Sequence, residues 1–226
     1  WDGAVNMPPK GHRARAEAIA ELDGLMHRTR TEPALRGLID TALTEPLDPF
    51  QSANLREIRR DWRSANALPE RLVQAKAIAT STCEHAWRTQ RRKNDWAGFL
   101  PNFKEVVRLA REEANYLADD MGLSPYDALM DGYEPGLTSD RLDPVFDDLR
   151  TWLPELIRDV VSRQAAERKR APLIEPAGPF DVKQQKALSL EVMRLLGFDF
   201  DAGRLDESAH PFAGGVPEDV RLTTRF

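Results

Sequence analysis

The sequence is poor in cysteine: Cys83 is its only one, so no internal disulfide can form. A single thiol is the usage of a reducing, cytoplasmic compartment. Cys83 sits in a helical pattern with no motif around it and reads as a small buried apolar residue, not a nucleophile. There is no basic excess either. The chain carries 32 Lys and Arg against 37 Asp and Glu, a net charge of −5, which excludes nucleic acid as the default partner. Three local basic runs, Arg56 to Arg63, Arg88 to Lys93 and Arg168 to Arg170, lie on helical patterns beside acids and read as solvated helix faces. No apolar run approaches the ~20 residues of a membrane span, so no membrane partner is expected. No signal-peptide pattern precedes Trp1, and the absence of an initial Met leads us to expect that the natural start lies upstream.

Histidine is scarce as well. None of His12, His27, His85 and His210 is followed by Glu, and no two are three or four residues apart. The His-Glu-x-x-His arrangement that grips zinc from one helix face is therefore missing, and no catalytic or metal-ligating residue is assigned within the segment. The acids of GFDFDAGRLDE look like a calcium loop, but Gly203 falls on the third acidic slot and Arg204 on the position that needs glycine. Gly-x-Ser-x-Gly and phosphate-cradling glycine loops are absent, and no internal repeat is visible.

What is present is helix. An apolar fraction of 41% beside a charged fraction of 31% fits a helical protein with solvated faces. Gly3, Pro8 and Pro9 make residues 1–10 turn-like. Helices are expected over Gly11 to Thr29, with Ala14, Ala18, Leu22, Leu25 and Met26 as the apolar stripe, and from Pro33 to Leu43. A third, capped by Ser52, runs to Asn66 with Leu55, Ile58 and Trp62 buried. Pro69 opens a long helix to Asn94. After a turn at Asp95 to Leu100, Pro101 starts another to Asp120, with Phe103, Val106, Val107, Leu109 and Ala114 inward. The short connection makes these two antiparallel neighbours. Ser124 caps a short helix to Asp131 and Ser139 one to Trp152. Pro154 allows another from Glu155 to Arg170. A proline-rich linker spans 172–181, and Val182 to Leu196 is the last helix, closed by Gly197.

The tail from Gly197 to Phe226 is different. It sets Asp199, Asp201, Asp206, Glu207, His210, Asp219, Arg221 and Arg225 among phenylalanines, and such groups cost free energy to desolvate unless paired or bound. Asp219 to Phe226 alternates with period two and is the one strand signal, with Asp219, Arg221 and Thr223 on one face. An Arg braced by Asp is a good carboxylate receptor, because its fork matches two oxygens. A surface strand bearing an ion pair fits the same spacing.

Several strings taken together resemble the carboxypeptidase Taq family. They are WDGAVNMPPKGHRARAEAIAELDGLMH at 1–27, AWRTQRRKNDWAGFLPNFKEVVRL at 86–109, YDALMDGYEPG at 126–136, LGFDFDAGRLDESAHPF at 196–212 and DVRLTTRF at 219–226. The last two contain the family's His-Pro-Phe and Asp-x-Arg-x-Thr signatures: His210, Pro211 and Phe212, then Asp219, Arg221 and Thr223. The resemblance implies a mainly α, cradle-like metallocarboxypeptidase fold, truncated, with a short β region at the C-terminus. Residues 1–226 would be the N-terminal part of one domain: a helical wall at 1–171, the linker at 172–181, and the last helix with cleft-lining loop and strand at 182–226. It implies zinc-dependent release of single residues from peptides with a free C-terminus, in the cytoplasm, and admits a homodimer. The zinc ligands would lie outside these residues, and this piece alone would be inactive. His210, Pro211, Phe212, Asp219, Arg221 and Thr223 would line the substrate or metal side of the cleft. The other expectation is a non-catalytic helical interaction module or fragment.

Overall fold

A computed structural model of the chain describes residues 1–171, 174 and 176–226. The expected linker at 172–181 therefore lies partly outside the described residues. The fold is mainly α, with one small sheet near the C-terminus. The chain divides into two compact units, residues 9–142 and residues 1–8 with 143–226.

The unit of residues 9–142 is a helical array. Its helices are α2 (His12–Arg30), α3 (Pro33–Ala42), α4 (Pro49–Ala67), α5 (Glu70–Gln90), α6 (Trp96–Met121) and α7 (Pro125–Met130), and α8 (Ser139–Arg170) begins here. A short α1, Asp2–Val5, belongs to the other unit and forms despite Gly3 in the stretch expected to be turns. Pro8 and Pro9 lie beyond it, so they end this turn of helix but do not prevent it.

The apolar stripe of α2 is not the one the large residues suggest. Ala16, Ala20 and Gly24 are buried, whereas Leu22 and Leu25 are each 54% exposed and Met26 is exposed. Small residues four apart let the α2 backbone approach α5 closely, and at Gly24 an added Cβ would press into the Gln74 side chain. At the start of α2 the ring of His12 stacks on that of His85 of α5, with centroids 4.0 Å apart and planes 9° apart. Leu72, 1% exposed, and the buried Cys83 anchor α5. Burial pushes the Cys83 thiol up from its usual range, as expected of a core residue. The ion pairs Arg71–Glu112 and Lys76–Glu113 tie α5 to α6, whose Leu109, Ala114 and Ala118 are buried.

Helix starts and breaks differ from expectation for local reasons. Asp48, not Ser52, caps α4: its carboxylate accepts from the Gln51 N–H at 2.8 Å and the Gln51 side chain returns to the Asp48 N–H, with Pro49 at the first helical position. On this helix Leu55 is buried as expected and Ile58 is exposed. The α6 helix begins at Trp96, because the Asp95 carboxylate accepts from Gly98 N–H at 2.8 Å and starts a turn ahead of Pro101. Phe103 is exposed beside Trp96 and Phe99 rather than inward. Pro154 does not divide α8, which runs through it and through Pro144. Each proline removes only one backbone bond from a helix of 32 residues.

From Asp143 onward α8 belongs to the second unit, with α9 (Val182–Leu195) and three strands, β1 (Gly203–Glu207), β2 (Ala213–Val216) and β3 (Asp219–Thr224). The Asp181 carboxylate caps α9 and Gly197, at φ 79°, follows its end. The expected strand is the centre of the sheet, not its whole. β3 pairs parallel with β1, with Arg204 opposite Arg221, and antiparallel with β2, with Gly214 opposite Arg221.

Candidate functional site

The sheet brings the two signature strings together. Thr223 is 7% exposed, and its hydroxyl turns into the loop that carries His210, Pro211 and Phe212. The Phe212 N–H donates to Thr223 Oγ1 at 3.0 Å, and the Thr223 N–H donates to the Phe212 carbonyl at 2.9 Å. The buried Ser208 hydroxyl stands 2.8 Å from Thr223 Oγ1 and 2.7 Å from the His210 carbonyl. Thr223 and Ser208 thus fasten the His-Pro-Phe loop to the middle of β3, and a buried hydroxyl pair joined to main chain is a rigid fastening.

Two residues earlier on the same face of β3, Arg221 meets Asp219. The Nη2 of Arg221 donates to Asp219 Oδ2 at 3.0 Å, and its Nε donates to Oδ1. Both donors come from one fork, so the guanidinium direction is defined, as it is in bidentate pairs generally. The Arg221 hydrogen bonds hold the Asp219 carboxyl below the usual carboxylate range, against the opposing effect of burial. Arg221 remains 30% exposed at the side chain while Thr223 is sealed. The alternating residues therefore divide into a presented pair and a buried fastener.

His210 points its Nδ1 at the carbonyl of Pro211, 3.1 Å away. A carbonyl only accepts, so Nδ1 is the donor in this contact. Pro211 is exposed and Phe212 half-buried.

Three further residues complete the cluster and were not singled out as a site by sequence reasoning. Arg204 on β1 grips Asp206 through Nε at 2.8 Å and Nη2 at 2.6 Å, and the Trp1 indole N–H donates to the same carboxylate at 3.1 Å. The Trp1 ring lies 4.4 Å from Cζ of Arg221 and 5.0 Å from Cζ of Arg204. Asp206 is held well below its ordinary range, first by the Arg204 hydrogen bonds, with burial opposing, and then by the Arg204 charge, the Trp1 N–H and the Arg221 charge. The available signal was the alternation Arg204, Asp206, which has the same two-residue step as Asp219, Arg221.

No group of three or more His, Cys, Asp or Glu that could hold a metal ion gathers among the described residues. In the unit of residues 9–142 a cavity of about 610 Å³ is lined by His27, Lys76, Glu113, Leu72 and neighbours; none of the residues proposed from sequence borders it. Among the described residues no helix is long and apolar enough to cross a membrane.

A mainly helical chain that ends in this small sheet and joins a His-Pro-Phe loop to an Asp-x-Arg-x-Thr strand matches a metallopeptidase family along its whole length. The sequence model described as Carboxypeptidase Taq (M32) metallopeptidase matches residues 1–226, and the chain belongs to that family. Among its relatives, Thermostable carboxypeptidase 1 of Thermus thermophilus is 37% identical over 241 residues, covering 100% of this chain and 46% of the relative. Carboxypeptidase 1 of Bacillus subtilis is 31% identical, with 100% and 44% covered. The solved structure of Trypanosoma cruzi metallocarboxypeptidase 1 is 48% identical with a TM-score of 0.79, covering 100% of this chain and 45% of that one. The chain thus spans under half the length of the relatives it matches.

Proposed function

We propose that this chain serves as the N-terminal helical part of a single zinc-dependent carboxypeptidase domain that releases one residue at a time from peptides with a free C-terminus. Residues 1–171 supply a helical wall, 172–181 a linker, and 182–226 the last helix with the cleft-lining loop and strand. The zinc ligands and the general base lie outside residues 1–226, so this segment alone is inactive. The reading takes the enzyme to be cytoplasmic and admits a homodimer. Membership of the family and the carboxypeptidases among its relatives support it.

The observation that carries the reading is the braced arginine. Asp219 engages Nε and one N–H of Nη2 of Arg221, which leaves the N–H groups at the far end of the fork, two on Nη1 and one on Nη2, as the donors assigned to the substrate's terminal carboxylate. Thr223 holds the His210, Pro211, Phe212 loop on the same strand, so His210 flanks the same wall. The direct test is Arg221→Ala in a polypeptide extending over the length of the relatives. Carboxypeptidase activity should fall sharply with helix content unchanged by circular dichroism, and unchanged activity would refute the role.

A second reading, a non-catalytic interaction module, is favoured by one observation. The α8 helix has no buried residue in 32, and Phe146, Trp152, Ile157 and Val161 on it are all exposed. Such a face is the mark of a covered surface. The coding sequence beyond Phe226 separates the two, since a His-Glu-x-x-His within a few dozen residues supports the enzyme and a stop codon the module.

A further inference from the structure

The arginine expected to meet substrate does not stand alone. Arg204 and Arg221 face each other across the parallel β1–β3 pair, and two guanidinium groups at register positions repel unless something offsets the charge. Two devices do so. Each arginine holds its own carboxylate, Asp206 for Arg204 and Asp219 for Arg221. Both also lie against one indole ring, with Cζ 5.0 Å and 4.4 Å from the Trp1 centroid, where the negative π face attracts cations. The indole is itself anchored, because its N–H donates to Asp206, a carboxylate already gripped twice by Arg204.

We propose that Trp1, Arg204 and Asp206 are positioning residues for Arg221: the anchored indole fixes the plane of the Arg221 guanidinium and thereby aims the Nη1 and Nη2 N–H groups that Asp219 leaves over. The division of labour follows from the geometry. The two bonds to Asp219 set the direction of the Arg221 fork along β3, and what they leave free is rotation of the guanidinium plane about that bonded edge. The indole face removes the remaining freedom. Asp206 contributes by holding the ring, not by touching Arg221 through a hydrogen bond. In this arrangement the four charges balance, two arginines against two aspartates, so what the set supplies is direction and not a net positive field. Aim is what a planar carboxylate receptor requires, since misdirected donors lose the bidentate match.

The inference rests on the reading of Arg221 as the substrate-carboxylate contact, and the experiment separates the two. In a polypeptide extending over the relatives' length, Trp1→Leu should raise KM for peptides about tenfold with kcat within about threefold, the loss expected of one desolvated cation–π contact. Trp1→Phe, which keeps the ring and loses the N–H, should recover part of that loss. In the 226-residue chain itself, the Arg221 Nε–H proton should show a ring-current shift that vanishes in Trp1→Leu and shrinks in Asp206→Asn. If Trp1→Leu fails to fold, Asp206→Asn carries the test, with KM raised about threefold and the proton shift reduced. Wild-type KM in Trp1→Leu or in Asp206→Asn, together with a raised KM in Arg221→Ala, overturns this inference and leaves the Arg221 reading standing. Wild-type KM in Arg221→Ala overturns both.

Discussion

Thr223→Val is the sharpest single perturbation of the join between the two signature strings. Valine keeps the shape and removes the hydroxyl. In the native chain that hydroxyl, on a side chain 7% exposed, accepts the Phe212 N–H at 3.0 Å. Ser208 keeps a second partner in the His210 carbonyl at 2.7 Å, so the loss falls on Phe212. The backbone bond from Thr223 N–H to the Phe212 carbonyl also survives, so the strand should not unzip. One half-buried donor left without an acceptor costs about 1–2 kcal/mol, which corresponds to roughly 5–30-fold faster opening. Amide hydrogen exchange read by NMR reports it at one position. Phe212 should exchange faster by that factor in Thr223→Val and return close to native in Thr223→Ser, while Ala114 in α6 stays unchanged. Native-like protection of Phe212 in Thr223→Val would refute the fastening, as would equal loss in the valine and serine variants.

Two further outcomes follow from the helical unit. Ala20→Leu forces a branched side chain into the close α2–α5 contact, where Ala20 is 5% exposed, and should destabilise by about 1–3 kcal/mol in urea unfolding; a neutral result would remove the small-residue stripe as the reason for that approach. The His12–His85 stack leaves Nδ1 of both rings buried without a partner, and burial first, then His12 and Arg88, hold His85 below its ordinary range against Glu84. Because the folded value is depressed, its contribution to stability is complete above the ordinary histidine value of about 6.5 and is lost as pH falls from there through the folded value. Thermal unfolding should show Tm declining on acidification below about pH 6.5, with a shallower decline in His85→Phe, and an unchanged slope would contradict the assignment.

Much of the fold could be read from periodicity, because long helices repeat their apolar positions many times. The errors have local causes. In α2 the large residues drew attention, yet packing used Ala16, Ala20 and Gly24 because interhelical distance, not side-chain size, decides which face is buried. Asp48, Pro49 and Gln51 spell a capping box for α4, and it outcompetes the cap that Ser52 offers further on. β3 showed itself by alternation, but β1 and β2 did not. GRLDE is polar and gains its partner through a parallel pairing with a strand well along the chain, and AGGV carries almost no side-chain pattern. At the site, Asp219 and Arg221 announced their pairing by a two-residue step. The part played by Trp1 was illegible, because its hydrogen bond to Asp206 spans 205 positions in sequence. No local rule reaches that far.

The central claim is that the Asp219–Arg221–Thr223 strand borders a metal site whose ligands come from elsewhere in the polypeptide. Anomalous diffraction at the zinc edge, from crystals of a polypeptide extending over the relatives' length and soaked with a product amino acid, tests it most directly. The account predicts one zinc held wholly by residues outside 1–226, with the product carboxylate against Arg221. A zinc coordinated by His210, Asp219 or any other residue of 1–226, or a product bound away from Arg221, would contradict it.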